Sequence, residues 1–86
     1  MSVEDINWLK SGKYRILVLR LLAEQPMLPS ELASEMSLHR VSVSRILTDL
    51  RVKGLVTRTR GRTRTTTYQV TELAIQLLHE LNRRRK

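Results

Sequence analysis

Apolar residues recur along most of this chain at the three-to-four spacing of an amphipathic helix, and one stretch breaks that rhythm. Val3, Ile6 and Leu9 set a short helix over residues 3–9, with Ser2 as its cap and Glu4 and Asp5 in the first turn. Ser11-Gly12 interrupts it. Residues 13–24 are apolar nearly all round: Tyr14, Leu17, Val18, Leu21 and Leu22 on one side, Ile16, Leu19 and Ala23 on the other. A helix so patterned needs cover on two faces, from a docked terminal helix or from another subunit. Gln25-Pro26 ends it, Met27-Leu28 reads as an extended link, and Pro29 suits the first position of a third helix over 29–36. On that helix Leu32 and Met36 point inward, and the small Ala33 lets a neighbouring helix come close.

Ser37-Leu38 leaves room only for a tight turn before the next helix, which runs to Gly54. Val43, Leu47 and Leu50, widened by Ile46, make its buried stripe. Gly54 stands where a helix-terminating glycine belongs. Beyond it, residues 55–70 are rich in Thr and Val around Gly61, which predicts two strands joined by a short Gly turn. Leu55, Val56, Tyr68 and Val70 can join the core at the base of this hairpin. Residues 57–67 are polar on both faces, so the hairpin should project into solvent. Thr71 caps a last helix to about residue 83, on which Leu73, Ala74, Ile75, Leu77, Leu78 and Leu81 span more than one packing face.

Two short helices joined by so tight a turn, the second amphipathic with polar residues in its opening turns, form a helix-turn-helix. The segment SELASEMSLHRVSVSRILTDLRVKGLV resembles that motif in prokaryotic winged-helix regulators of the MarR and ArsR type. Leu-Ala, a turn, Val-Ser-Arg, Leu and a closing Lys-Gly-Leu hold the same relative places. Two positions depart from the pattern. Ser37 stands where such turns commonly carry Gly, at a cost of roughly 1 kcal/mol for a left-handed backbone. His39, at the helix cap, is neither Ser nor Thr. The fold class predicted is α+β, mainly α: a winged helix-turn-helix with a three-helix core, a two-stranded wing and terminal helices. The 86 residues make one domain, with an N-terminal helix over 1–10, a core over 13–54 containing the helix-turn-helix at 29–54, a wing over 55–70, and a C-terminal helix with a basic tail over 71–86.

Charge sharpens the picture. The net charge of +8 is unevenly spread: residues 1–36 hold four basic and five acidic residues, and residues 37–86 hold twelve basic and three acidic. A half-neutral, half-basic chain presents one positive surface to a polyanion, with nucleic acid the first candidate and an anionic membrane surface the second. On the helix after the turn, Arg40, Val41, Ser42, Ser44, Arg45 and Thr48 fall on the exposed side of the first two turns. Arg suits guanine edges and phosphates, Ser and Thr suit phosphate oxygens, and Val suits a thymine methyl. Alone, that pattern fits a solvated helix face equally well. The hairpin tips the balance: Arg58, Arg60, Arg62 and Arg64 stand on it with no acid among them, more cations than protection of a sheet edge requires. Base readout then falls to Arg40, Val41, Ser42 and Arg45, and phosphate positioning to Ser44, Thr48 and the wing arginines. Helix tip and wing are expected on one side, gripping the same duplex.

Other chemistry is thin. There is no Cys, so disulfides, thiolate metal sites and Cys nucleophiles are excluded. His39 and His79 have no ligand-spaced companions, Gly12, Gly54 and Gly61 are isolated, and Ser42 and Ser44 have no evident base. Neither an enzyme nor a bound cofactor or metal is expected. ArsR-type metal sensors carry thiolates, and MarR-type ligand pockets are built from helices this short chain largely lacks, so the resemblance implies no effector. No apolar run reaches the length of a membrane span, and the N-terminus lacks the pattern of a signal peptide. The expectation is a cytoplasmic, nucleoid-associated regulator that binds double-stranded DNA as a homodimer through its terminal helices. The alternatives are a non-specific architectural binder and a winged-helix protein-interaction module.

Overall fold

The computed structural model describes residues 3–61 and 65–84. Five helices and a two-stranded sheet follow in the order α1 (Val3–Ser11), α2 (Arg15–Glu24), α3 (Pro29–Met36), α4 (Arg40–Val52), β1 (Val56–Arg60), β2 (Thr66–Val70) and α5 (Glu72–Arg84). This is the winged helix-turn-helix that the sequence predicts.

The core is aliphatic and contains no buried polar side chain among the described residues. Leu9, Val18, Leu19, Leu32, Val43, Leu50, Ala74 and Leu77 are completely buried. α2 lies at the centre, packed against α1, α5 and β2. That arrangement answers the two-sided pattern of α2 mainly from within the chain. Val18, Leu19 and Leu22 form one buried face, Ile16 and Leu21 are half-buried at its flanks, and Leu17 and Ala23 are exposed. The expected division into two apolar sides is thus replaced by one face with two shoulders, and α2 starts at Arg15 instead of Lys13.

α1 is locked to α2 through side chains. The Arg15 guanidinium donates to the Trp8 carbonyl and to the Ser11 Oγ, 3.0 Å away, closing the C-terminal end of α1. It also lies 3.8 Å from the Trp8 ring centroid, while Lys53 Nζ, just beyond α4, lies 5.1 Å from the same centroid. One indole thereby ties three segments by cation–π attraction.

The turn between α3 and α4 is as tight as predicted. Ser37 adopts φ 55° and ψ 45°, and the Ser37 and Leu38 N–H groups donate to the Ser34 and Ala33 carbonyls at 3.3 and 2.9 Å. This double bond pattern satisfies carbonyls that the helix end would leave bare. His39 occupies the cap position of α4 in extended conformation, and its side chain makes no capping hydrogen bond. Gly54, at φ 76°, ends α4 on the left-handed residue its position requires.

Two features of the sheet depart from expectation. Residue 27 is more than a link: Met27 and Tyr68 exchange N–H···O bonds of 3.1 and 2.8 Å, adding a one-residue third strand beside β2. The turn, meanwhile, is not centred on Gly61. Among the described residues the pairing ends at Arg60↔Thr66, and the Gly61 N–H donates to the Thr65 carbonyl just beyond it. At the other end of the hairpin, the Thr71 hydroxyl donates to the Gly54 carbonyl at 2.8 Å and accepts from the Ala74 N–H at 3.3 Å. That one side chain caps α5 and pins it to the exit of α4, which fixes the root of the wing.

Candidate nucleic-acid interface

α4 is held by Val43, Leu47 and Leu50, all essentially buried, with Ile46 half-buried beside them. Its remaining surface carries the six residues singled out on this helix. Arg40, Val41, Ser42, Ser44, Arg45 and Thr48 are all exposed, and Val41 keeps 73% of its surface in contact with solvent. Helical spacing puts Val41, Arg45 and Thr48 directly opposite the buried stripe, with Arg40 and Ser44 on one flank and Ser42 on the other. Thr48 is partly committed, since its hydroxyl donates to the Ser44 carbonyl at 2.9 Å. The outward stripe continues through Val52, which is 82% exposed, and is flanked by Asp49. An acid there opposes a polyanion, so the first two turns are the part of α4 suited to face one.

The start of α4 differs from that of α1, α3 and α5. Those helices carry acids in the first turn, Glu4 and Asp5, Glu31, and Glu72 respectively, whereas α4, like α2, carries none and begins with an arginine, Arg40. A cation at the positive end of a helix dipole is unfavourable by a few tenths of a kcal/mol to about 1 kcal/mol unless an anion sits nearby. Arg40, Arg45, Arg58 and Arg60 make no ion pair among the described residues. Their charge is available to an outside partner.

Strand alternation organises the wing. Val56, Arg58 and Arg60 share one face of β1, opposite Val70, Tyr68 and Thr66 on β2, and Thr57 and Thr59 share the other face with Gln69 and Thr67. The first of these faces is rooted in the core: Val56 is buried, and Tyr68 and Val70 are half-buried. Past Val56 the whole of β1 is exposed. The arginines therefore prolong the inner face of the sheet outward. Arg62 and Arg64 lie outside the described residues, as do the last two residues of the basic tail. Arg83 pairs with Glu80 at 3.4 Å.

Helix tip and wing meet. Arg40 from α4, Arg58 and Tyr68 from the wing, and Pro29 and Ser30 from the start of α3 line a single open depression with no acid in its lining. A second hollow continues along the wing between Arg58, Arg60 and Thr66. The predicted juxtaposition of helix and wing on one side is thus present at Arg40 and Arg58. Tyr68 and Ser30 were not legible as part of it. Tyr68 read as a core residue, and period-two alternation from Val56 through Arg58 to Arg60 was the signal that places its ring beside an arginine. No group of three or more His, Asp or Glu among the described residues is arranged to hold a metal ion. No helix of the described residues is long and apolar enough to cross a membrane.

Solved structures share this architecture. The chain is similar to the adhesin competence repressor AdcR from Streptococcus pyogenes, with a TM-score of 0.78 and 22% identity over 84% of this chain and 54% of that one. It is similar to the transcriptional regulator BldR from Sulfolobus solfataricus, at 0.77 and 23% over 94% and 63%. It is also similar to a ZitR variant from Lactococcus lactis in complex with DNA, at 0.75 and 23% over 83% and 50%. The likeness is one of fold, and the chain spans between half and two thirds of the length of these three proteins. No curated protein matches the chain. The model of the HVO_A0261 N-terminal domain family matches residues 3–86, and the chain belongs to that family.

Proposed function

We propose that this domain binds double-stranded DNA as a sequence-specific transcriptional regulator, with the first two turns of α4 in the major groove and the wing on the backbone or in the neighbouring minor groove. The observation that carries the reading is the acid-free depression shared by Arg40 of α4 and Arg58 of the wing. A polyanion is the partner for which two uncompensated cations on separate elements make sense. The resemblance in fold to regulators, one of them solved with DNA, supports it. In this reading Val41, Ser42 and Arg45 meet base edges, and Ser44, Thr48 and the arginines at 58, 60, 62 and 64 meet phosphates. Arg40, which lines the depression, stands between the two roles.

The domain acts as a dimer in this reading. Leu17, Leu73 and Ile75 keep 44, 37 and 36% of their surfaces exposed on helices otherwise committed to the core. A second copy across α1, α2 and α5 covers them and sets two recognition helices about 34 Å apart, matching a palindromic site. Selection of duplexes from a random pool at physiological salt tests the specificity: recovery of a preferred, palindromic sequence supports it, and equal affinity for selected and random duplexes supports an architectural binder instead. Sedimentation at micromolar concentration tests the assembly, and a monomer contradicts it.

A further inference from the structure

Tyr68 lies at the depression between α3, α4 and the wing, on a backbone held from both sides. Its backbone pairs with Arg58 on one edge and with Met27 on the other, so neither strand can slide without breaking a ladder bond. The ring is half-buried, and the hydroxyl makes no hydrogen bond with the described residues. Ser30, exposed in the first turn of α3, lines the same hollow and is likewise without a partner there. Arg40, Arg58, Thr65 and Thr66 line it as well. Two arginines and four hydroxyl-bearing residues thus border one concavity that no carboxylate lines. Guanidinium groups only donate, and hydroxyls can donate, so the ligand matched to this lining is acceptor-only and negative.

We propose that this depression seats one backbone phosphate of the bound duplex, with Tyr68 and Ser30 donating to its oxygens and Arg40 and Arg58 neutralising it. The proposal rests on the reading of the domain as a duplex binder and deepens it by adding Tyr68 and Ser30 to the interface. It also assigns Arg40 to the backbone instead of to a base. Because the seat joins the start of α4 to the wing, it sets how deep the helix enters the groove.

Binding titrations of wild type, Tyr68→Phe, Ser30→Ala and Arg58→Ala, on a duplex recovered from a random pool and on a scrambled one, test the seat. Tyr68→Phe keeps the ring and its packing, and is expected to weaken both duplexes equally, by about tenfold, as loss of a hydrogen bond to a charged group does. Its salt slope stays that of wild type, since a neutral hydroxyl releases no counterion, whereas Arg58→Ala makes the slope shallower by about one unit. A scan of single methylphosphonate substitutions is expected to show one position where neutralisation weakens Tyr68→Phe less than it weakens wild type. If wild type binds duplex while Tyr68→Phe and Ser30→Ala bind as tightly, or if the loss differs between sequences, the seat is wrong and the DNA reading stands. If wild type binds no duplex at all, both are wrong.

Discussion

Ser37 carries the sharpest local backbone strain among the described residues. It is the non-glycine residue at positive φ among those described, and it sits in the turn that sets the angle between α3 and α4. A left-handed conformation costs an L-residue with a Cβ on the order of 1 kcal/mol, and glycine escapes most of it. Ser37→Gly is therefore expected to stabilise the fold by up to about 1 kcal/mol, read as a higher urea midpoint at unchanged slope. An unchanged or lower midpoint means the turn is not strained. In the proposed reading, Arg45 is the residue on which sequence discrimination depends. It lies opposite the buried stripe of α4 with no ion-pair partner among the described residues. Arg45→Ala is expected to cost on the order of 1 to 3 kcal/mol on the preferred duplex and to relax preference at one base pair. A uniform loss on all sequences assigns it to phosphate instead.

Among the elements, α1 shows how a small helix is kept in place. The cation–π stack of Arg15 and Lys53 on Trp8 links it to α2 and to the exit of α4. Gly12 makes room for it, because a Cβ there would collide with the Arg15 guanidinium. Gly12→Ala is expected to displace the flexible arginine, alter Trp8 fluorescence, and cost about 1 kcal/mol or less. Fluorescence identical to wild type contradicts the stack. The helices were legible in the sequence because each has a local signature: Pro29 at the start of α3, the Leu and Val stripe of α4, Gly54 after it, and Thr71 before α5. The sheet was less so. The Met27 bridge depends on Tyr68, far away in sequence, and no local pattern announces a one-residue strand. Gly61 drew the turn toward itself, while the register was set by the pairs Val56↔Val70 and Arg58↔Tyr68 near the core. The common face of Arg58 and Arg60 was readable from alternation alone. That Tyr68 and Ser30 meet Arg40 was not, because three separate elements have to be assembled first.

For the molecule as a whole, α2 divides the labour. The terminal helices and the sheet root enclose it, and the cations of α4 and the wing project where no core residue needs them. The apolar excess of α5 sits elsewhere, at Leu73 and Ile75, which separates the proposed copy-to-copy contact from the proposed duplex contact. The proposed function requires that α4 and the wing bind one duplex together while reading different parts of it. The direct measurement is a set of anisotropy titrations of wild type, Arg45→Ala and Arg60→Ala against preferred and scrambled duplexes at several salt concentrations. Arg45→Ala should narrow the gap between the two duplexes, and Arg60→Ala should weaken both alike with a salt slope shallower by about one unit. Affinity and slope unchanged in both variants would contradict the account.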